Sequence, residues 1–155
     1  MSKLSTLKTI ALATLIGIGL MAQATNARAG TETLTVAGGC FWCVESDFES
    51  VKGVQEAVSG FAGGATANPT YKQVAAGGTG HYEAVQITFD SDIVTRDTLL
   101  DLFFRSIDPT DAGGQFCDRG ASYRSAIFAN DTAQRLAAEK AKADAQAALG
   151  EKIVT

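Results

Sequence analysis

Two thiols and two large aromatic side chains share the segment Gly39-Cys40-Phe41-Trp42-Cys43-Val44-Glu45. Residues 34–37 are β-branched or apolar and predict a strand, and Gly38-Gly39 predict the tight turn that follows it. Cys40 therefore falls in the first turn of a helix that we expect to run to about Ser50. Free backbone N–H groups and the helix dipole favour the thiolate form of a cysteine in that position. We predict that Cys40 is a reactive nucleophile rather than a buried structural thiol.

Three other segments carry polar side chains in predicted loops, where a rigid scaffold usually presents its active groups. They are Asn68-Pro69-Thr70-Tyr71, Gly80-His81-Tyr82-Glu83 and the stretch 115–125, which holds the third cysteine. A glutamate at the start of a strand is more often solvated than catalytic, so Glu83 taken singly is a weak signal. His81 is the only histidine, and we expect it to bond a loop rather than act as a base. Without further histidines or a second Cys-x-x-Cys pair, no metal site is predicted.

The first 29 residues have the three parts of a secretory signal peptide. Lys3 and Lys8 form a basic start, residues 10–22 form an apolar run, and Ala27-Arg28-Ala29 is a small-x-small cleavage site. The apolar run is shorter than the roughly 20 residues that a spanning helix needs. We therefore expect cleavage after Ala29, export to the periplasm and no stable membrane association of the mature protein.

Residues 30–155 are enough for one domain with a single core, and we expect a monomer. They carry 10 basic and 17 acidic side chains, a net charge of −7, which argues against nucleic acid as a partner. Three cysteines in an exported protein leave at least one thiol unpaired, so their number suggests redox chemistry more than a disulfide scaffold.

The order of predicted elements favours an α+β fold. Residues 54–61 and 84–89 have strand patterns, and Thr70 starts what looks like a single helical turn. Residues 95–106 place Leu99, Leu102 and Phe103 at helical spacing. A strand over 123–129 and a helix over 131–149 complete the chain. We predict a two-layer sandwich with helices on one face of a mixed sheet and a split βαβ (ferredoxin-like) core.

Six short motifs together resemble the type A peptide methionine sulfoxide reductase family, in order and in spacing. The resemblance covers residues 33–155 and implies an α+β sandwich and an enzyme without a cofactor. The motifs are Gly39-Cys40-Phe41-Trp42, Gly60-Phe61-Ala62-Gly63-Gly64, Asn68-Pro69-Thr70-Tyr71, Gly80-His81-Tyr82-Glu83, Asp108-Pro109-Thr110 and Tyr123-Arg124-Ser125.

The resemblance implies a role for each polar side chain at the site. Cys40 would attack the sulfur of a methionine S-sulfoxide, free or in a protein, leaving a sulfenic acid and releasing methionine. Glu83 would be the acid, with its pKa raised by desolvation among aromatic rings. Tyr71 and Tyr123 would donate hydrogen bonds to the sulfoxide oxygen, and Asp118 matches the family's polar partner. Phe41 and Trp42 would form a pocket for the S-methyl group, because sulfur-bearing groups pack well on aromatic rings.

A second thiol must resolve the sulfenic acid, and two are available. Cys43 lies one helical turn after Cys40, so their Cα atoms should be roughly 5 Å apart, inside the disulfide range. Cys117, in the loop beside Asp118, is the rival. We favour Cys43 and expect a thioredoxin-like dithiol protein as the reductant.

The chain departs from the family at its end, and a second function remains open. The family continues past Ile153-Val154-Thr155, so we expect the domain at 30–155 to be truncated there. The alternative function is an exported thioredoxin-like thiol–disulfide oxidoreductase that uses Cys40-x-x-Cys43. A binding module stapled by these two cysteines would leave Tyr71, Glu83 and Tyr123 without a role.

Overall fold

A computed structural model of the chain describes residues 30–155, and the predicted signal peptide lies outside the described residues. Among residues 30–155, no helix combines the length and the apolar character needed to cross a membrane. Within residues 30–155, six strands and four α-helices follow one another. They are β1 (Thr31–Gly38), α1 (Phe41–Glu49), β2 (Val54–Ala62), α2 (Tyr71–Ala75), β3 (Tyr82–Asp90), α3 (Arg96–Ser106), β4 (Gly114–Gln115), β5 (Asp118–Arg119), β6 (Ser125–Phe128) and α4 (Thr132–Leu149).

The four longest strands form one sheet in the order β2-β3-β1-β6, and all three pairings in it are antiparallel. The expectation of a mixed sheet was therefore wrong. Helix α1 returns the chain so that β1 and β2 run in the same direction, but β3 lies between them and pairs antiparallel with both. A second crossover through α3 places β6 on the far side of β1. The α+β class is confirmed.

Helices α1 and α3 cover the same face of the sheet, because both contribute to one apolar core. Phe48 of α1 and Phe103 of α3 are fully buried in it together with Phe89 of β3. Helix α4 packs outside α3 through small alanines. The predicted core side chain Leu102 is only partly buried, since α3 turns Leu100 inward in its place.

Local signals for helix ends match the observed boundaries within one residue. The side chains of Thr70, Thr95 and Asp131 each accept a hydrogen bond from a backbone N–H in the helix that follows, and Gly150 ends α4 at a φ of +70°. The strand predicted to begin at Tyr123 begins at Ser125 instead, because residues 121–123 form a 3₁₀ turn. This turn presents Tyr123 at the end of the sheet.

Candidate active site

Cys40 lies between the end of β1 and the first residue of α1. Gly39 makes the turn with a φ of +90°, a conformation that glycine adopts readily. Cys40 caps the helix, and its carbonyl oxygen accepts from the backbone N–H groups of Cys43 (3.1 Å) and Val44 (3.3 Å). Its side chain is half-buried. The thiol therefore stands at the N-terminus of α1, one residue before the position that the sequence predicted.

Glu83 is the buried carboxyl of the site, with only 2 % of its surface exposed. It lies on β3 directly opposite Phe61 of β2. Its Oε2 accepts a hydrogen bond from the backbone N–H of Phe41 at 3.1 Å, while Oε1 has no hydrogen-bond partner among the described residues. Burial is the main cause that raises the pKa of Glu83, the Phe41 N–H opposes it, and the negative charge of Asp118 adds to it. The structure thus brings a carboxyl that tends to keep its proton next to the residue that follows Cys40.

Two phenols adjoin this carboxyl from different elements. Tyr123 comes from the 3₁₀ turn before β6, and Tyr71 is the first residue of α2. Burial, followed by the neighbouring Glu83 and Tyr71, raises the pKa of Tyr123 to about 12. The Tyr71 phenol is therefore a neighbour of the Tyr123 phenol. Asp118 of β5 is close enough to affect both Glu83 and Tyr123, so the structure brings all four predicted polar side chains together.

Aromatic rings line the site, and one wall is open to solvent. Phe41 is buried, with its ring centroid 5.8 Å from that of Phe61 and 6.1 Å from that of Tyr71. Trp42 stacks on Tyr71 at 6.1 Å with only 12° between the ring planes. Trp42 is nevertheless 64 % exposed. The two predicted pocket aromatics therefore differ: Phe41 forms the floor of the site, and Trp42 forms its rim.

The three cysteines occupy different positions relative to the site. The neighbouring Cys40 thiol is the main cause that raises the pKa of Cys43. Cys43 is exposed to solvent. Cys117 is also exposed, at the tip of the hairpin formed by β4 and β5. Of the two candidate resolving thiols, Cys43 is therefore the one in the same helical turn as Cys40 and affected by its thiol.

His81 bonds a neighbouring loop, as predicted. Its Nδ1 accepts from the backbone N–H of Gly64 (3.2 Å), and its Nε2 lies 2.9 Å from the carbonyl oxygen of Thr66. This loop leads to the start of α2 and hence to Tyr71. Within the described residues 30–155, no group of three or more His, Cys, Asp or Glu side chains is placed to hold a metal ion.

Gln115 is a structural residue of the site that the sequence did not reveal. It is 1 % exposed, and its side-chain amide accepts from the backbone N–H of Asp108 (2.7 Å) and donates to the Asp108 carbonyl (2.8 Å). A Cβ built on Gly39 would lie 2.6 Å from that of Gln115. Gln115 therefore packs directly beneath the turn that carries Cys40. Because glutamine is usually exposed, no local pattern indicated its burial.

Glu45 connects α1 to the edge strand β2. Its Oε2 accepts hydrogen bonds from the backbone N–H of Ser59, at 2.9 Å, and from the Ser59 hydroxyl. The bond to the backbone uses an N–H on the outer side of β2, which has no further strand beside it. In the sequence this glutamate ends the segment that contains Cys40, and no role was predicted for it.

The comparisons with known proteins agree with this geometry. Residues 32–155 match the sequence model of the family described as peptide methionine sulfoxide reductase. The chain is 54 % identical over 111 residues to the peptide methionine sulfoxide reductase MsrA of Bacillus subtilis, a match that covers 72 % of this chain and 63 % of that protein. It thus spans less than two thirds of the length of that relative.

Solved structures of the yeast protein Mxr1 have the same fold. The reduced form of Mxr1 from Saccharomyces cerevisiae superposes with a TM-score of 0.77 at 31 % identity, covering 86 % of this chain and 78 % of Mxr1. Mxr1 in complex with Trx2 superposes with a TM-score of 0.61 at 24 % identity, over 86 % of this chain and 79 % of Mxr1. From the match over residues 32–155 and its identity to MsrA, the chain belongs to the peptide methionine sulfoxide reductase family.

Proposed function

We propose that this protein reduces the S epimer of methionine sulfoxide, free or in polypeptides, and so repairs oxidised methionine. The observation that carries the proposal is the buried carboxyl of Glu83, which is bonded to the residue that follows Cys40 and has one oxygen without a partner. A nucleophile and a proton donor are the two groups that sulfoxide reduction requires. The aromatic floor at Phe41 and Phe61 suits the apolar methyl group of the substrate.

In the first step the Cys40 thiolate attacks the sulfur of the sulfoxide. The S–S bond formed by this attack and the S–O bond of the substrate then both break as a bond forms between the Cys40 sulfur and the oxygen. Cys40 is left as a sulfenic acid, and the substrate sulfur leaves as a thioether. Glu83 supplies the proton that the oxygen needs as its negative charge develops. Tyr123, whose pKa is raised to about 12, keeps its O–H and donates it to the same oxygen. Cys40 is oxidised by two electrons and the methionine sulfur is reduced by two.

In the second step another thiol attacks the sulfenic acid, forming a disulfide and releasing water. We propose Cys43 as this resolving thiol, supported by its place in the first turn of the helix that Cys40 caps and by the effect of the Cys40 thiol on its pKa. Single-turnover oxidation of Cys43→Ser and Cys117→Ser variants tests this assignment by the number of thiols lost. We expect the wild type and Cys117→Ser to lose two thiols and Cys43→Ser to lose one. Loss of the disulfide in Cys117→Ser alone would contradict it.

A dithiol protein of the thioredoxin type is the proposed reductant of the disulfide. The exposed position of Cys43 supports this, because an incoming thiolate can reach its sulfur. The fold shared with Mxr1, which has been solved in complex with Trx2, agrees with it. We propose the periplasm as the compartment, on the signal-peptide pattern of residues 1–29, and a monomeric enzyme.

We also infer that the sheet belongs to the ferredoxin-like type. Its order β2-β3-β1-β6, with one helix in each of the two crossovers, supports this assignment. If the sheet is of this type, α4 is an addition that follows β6, the last strand of the sheet.

The decisive experiment offers the protein dabsylated methionine S-sulfoxide and R-sulfoxide with dithiothreitol as reductant. We expect reduction of the S epimer only, and no reduction by Cys40→Ser. Failure of a folded sample to reduce the S epimer would refute the proposal. Reduction of insulin disulfides in place of the sulfoxide would instead support the thiol–disulfide oxidoreductase alternative.

A further inference from the structure

The exposed large aromatics of the described residues 30–155 all lie around the cysteines. Trp42, between Cys40 and Cys43, is 64 % exposed, and Tyr71, stacked on it, is 49 % exposed. Phe116, next to Cys117, is 69 % exposed. Single apolar side chains on a surface are common, but a concentration of large ones beside a reactive group indicates a contact surface.

Phe116 stands out because its backbone conformation is unfavourable as well. It is the first of the two residues that connect β4 and β5, and its φ is +50°. Hairpin turns of this length favour asparagine, aspartate or glycine where φ is positive, because a large side chain crowds the backbone there. Neither burial nor turn preference explains a phenylalanine at this position. A contact made by the ring with another molecule would explain it.

The hairpin tip lies near the nucleophile. A Cβ built on Gly39 would lie 3.8 Å from the Cα of Gln115, which precedes Phe116. Together with Cα spacing along the chain, this contact limits the distance between the Cα atoms of Cys40 and Phe116 to at most about 13 Å. An extended polypeptide covers that distance in about four residues. A side chain within about four residues of a methionine sulfoxide bound at Cys40 is therefore within reach of Phe116.

The charges around the hairpin tip affect which side chains could bind beside Phe116. Asp118 follows the turn, and its negative charge, like that of Asp47 on α1, acts on Cys43. The side chain of Arg119 donates hydrogen bonds to the carboxylate of Asp111 from both terminal guanidinium nitrogens, Nη1 and Nη2. Its charge is thereby compensated, whereas neither Asp118 nor Asp47 takes part in an ion pair with another described residue. An acidic side chain next to the methionine sulfoxide would be repelled there.

We propose that Phe116 forms a subsite for an apolar side chain within about four residues of the methionine sulfoxide in an extended polypeptide substrate. The inference rests on the proposed reductase function and deepens it. The subsite favours apolar over polar neighbours and disfavours acidic ones. The small substrate, free methionine sulfoxide, does not reach it.

The test compares the wild type with Phe116→Asn, in which asparagine suits the positive φ and only the ring is lost. The substrates are N-acetylmethionine S-sulfoxide and three blocked peptides whose methionine S-sulfoxide has leucine, serine or aspartate at the two positions on each side. We expect the wild type to have a kcat/KM about 5- to 20-fold higher for the leucine peptide than for the serine peptide, the effect of burying part of one apolar side chain. It should be lowest for the aspartate peptide.

In Phe116→Asn the leucine preference should fall to about twofold or less, with N-acetylmethionine S-sulfoxide reduced at an unchanged kcat/KM. Ile93→Asn is the matched control: Ile93 is 54 % exposed beyond the opposite end of β3, and its loss should change none of these ratios. Circular dichroism should give Phe116→Asn a melting temperature no lower than that of the wild type.

Three results would overturn the subsite. One is a leucine preference that survives in Phe116→Asn, and another is an equal loss of kcat/KM on the small substrate and the peptides. The third is slower turnover of Phe116→Asn with a thioredoxin-type reductant but not with dithiothreitol, which would assign the ring to the reductant's surface. If the wild type reduced neither the small substrate nor the peptides, the reductase function would fail and the subsite with it.

Discussion

The carboxylate of Glu83 accepts a hydrogen bond from the backbone N–H of Phe41, 42 residues earlier in the chain, at 3.1 Å. Phe41 is the first residue of α1 and follows Cys40, so this bond fixes the carboxyl at the helix N-terminus that also carries Cys40. The N–H stabilises the ionised carboxylate, while burial favours the protonated acid and dominates. Glu83 is therefore held in place as a hydrogen-bond acceptor without losing its capacity to carry a proton on the other oxygen.

Glu83→Gln tests the role of this acid. The amide fills the same space and can still accept from the Phe41 N–H, but it cannot deliver a proton. We expect the rate of sulfoxide reduction in single turnover to fall about 100-fold or more, as for other general acids. The rate is measured from the methionine formed, with melting temperature as the control for folding. A rate within twofold of the wild type between pH 5 and 8 would exclude Glu83 as the acid.

The raised pKa of Glu83 also makes a prediction about stability. The native state binds this proton more tightly than the unfolded state, in which the pKa returns to its ordinary value near 4.5. The free energy of unfolding should therefore decrease as pH rises above about 4.5, and the decrease should end above the native pKa. Glu83→Gln lacks this contribution. Urea unfolding of both proteins is measured from pH 4 to 8. As pH rises, the free energy of unfolding of the variant should increase relative to that of the wild type. A difference that stays constant with pH would contradict a raised pKa of Glu83.

The phenol of Tyr123 should ionise at a higher pH than that of an ordinary tyrosine. Burial and the adjoining Glu83 raise its pKa from 10.0 to about 12, so its O–H remains a donor throughout the physiological range. Ultraviolet titration of the phenolate absorbance should show a component near pH 12 that is absent from Tyr123→Phe. Tyr82→Phe serves as the control, since Tyr82 packs on Phe128 and Arg124 outside the site. Persistence of the late component in Tyr123→Phe would contradict the prediction.

Gln115→Leu should destabilise the fold although it preserves side-chain volume. The substitution removes both hydrogen bonds to the backbone of Asp108 and leaves its N–H and carbonyl without their partner. We expect a loss of about 1 to 2 kcal/mol in the free energy of unfolding, measured with urea. Gln86→Leu is the control, because Gln86 is exposed on β3. A loss below about 0.5 kcal/mol would mean that water replaces the amide.

Local sequence signals were sufficient for the four helices, for the strands of the large sheet and for the position of Cys40, but not for the hairpin of β4 and β5. The turn at Gly39, the capping residues Thr95 and Asp131 and the alternation along β3 act over a few residues, so they can be interpreted without the rest of the chain. The position of Cys40 at a helix start follows from the same kind of signal. The role expected for Glu83 did not follow from any local signal. Only the resemblance distinguished it from a solvated glutamate.

Contacts between distant segments were decided by the tertiary structure. Burial of Glu83 requires β3 to pair with β2, which sets it opposite Phe61, and requires α1 to place Phe41 N–H against it. Burial of Gln115 depends on a contact with Gly39, 76 positions earlier. The antiparallel sheet likewise depends on β3 entering between β1 and β2. By itself, the sequence determined that the thiol of Cys40 stands at a helix start, because helix starts are local. Which groups surround that thiol was decided by the packing of residues far apart in the chain, which no local pattern encodes.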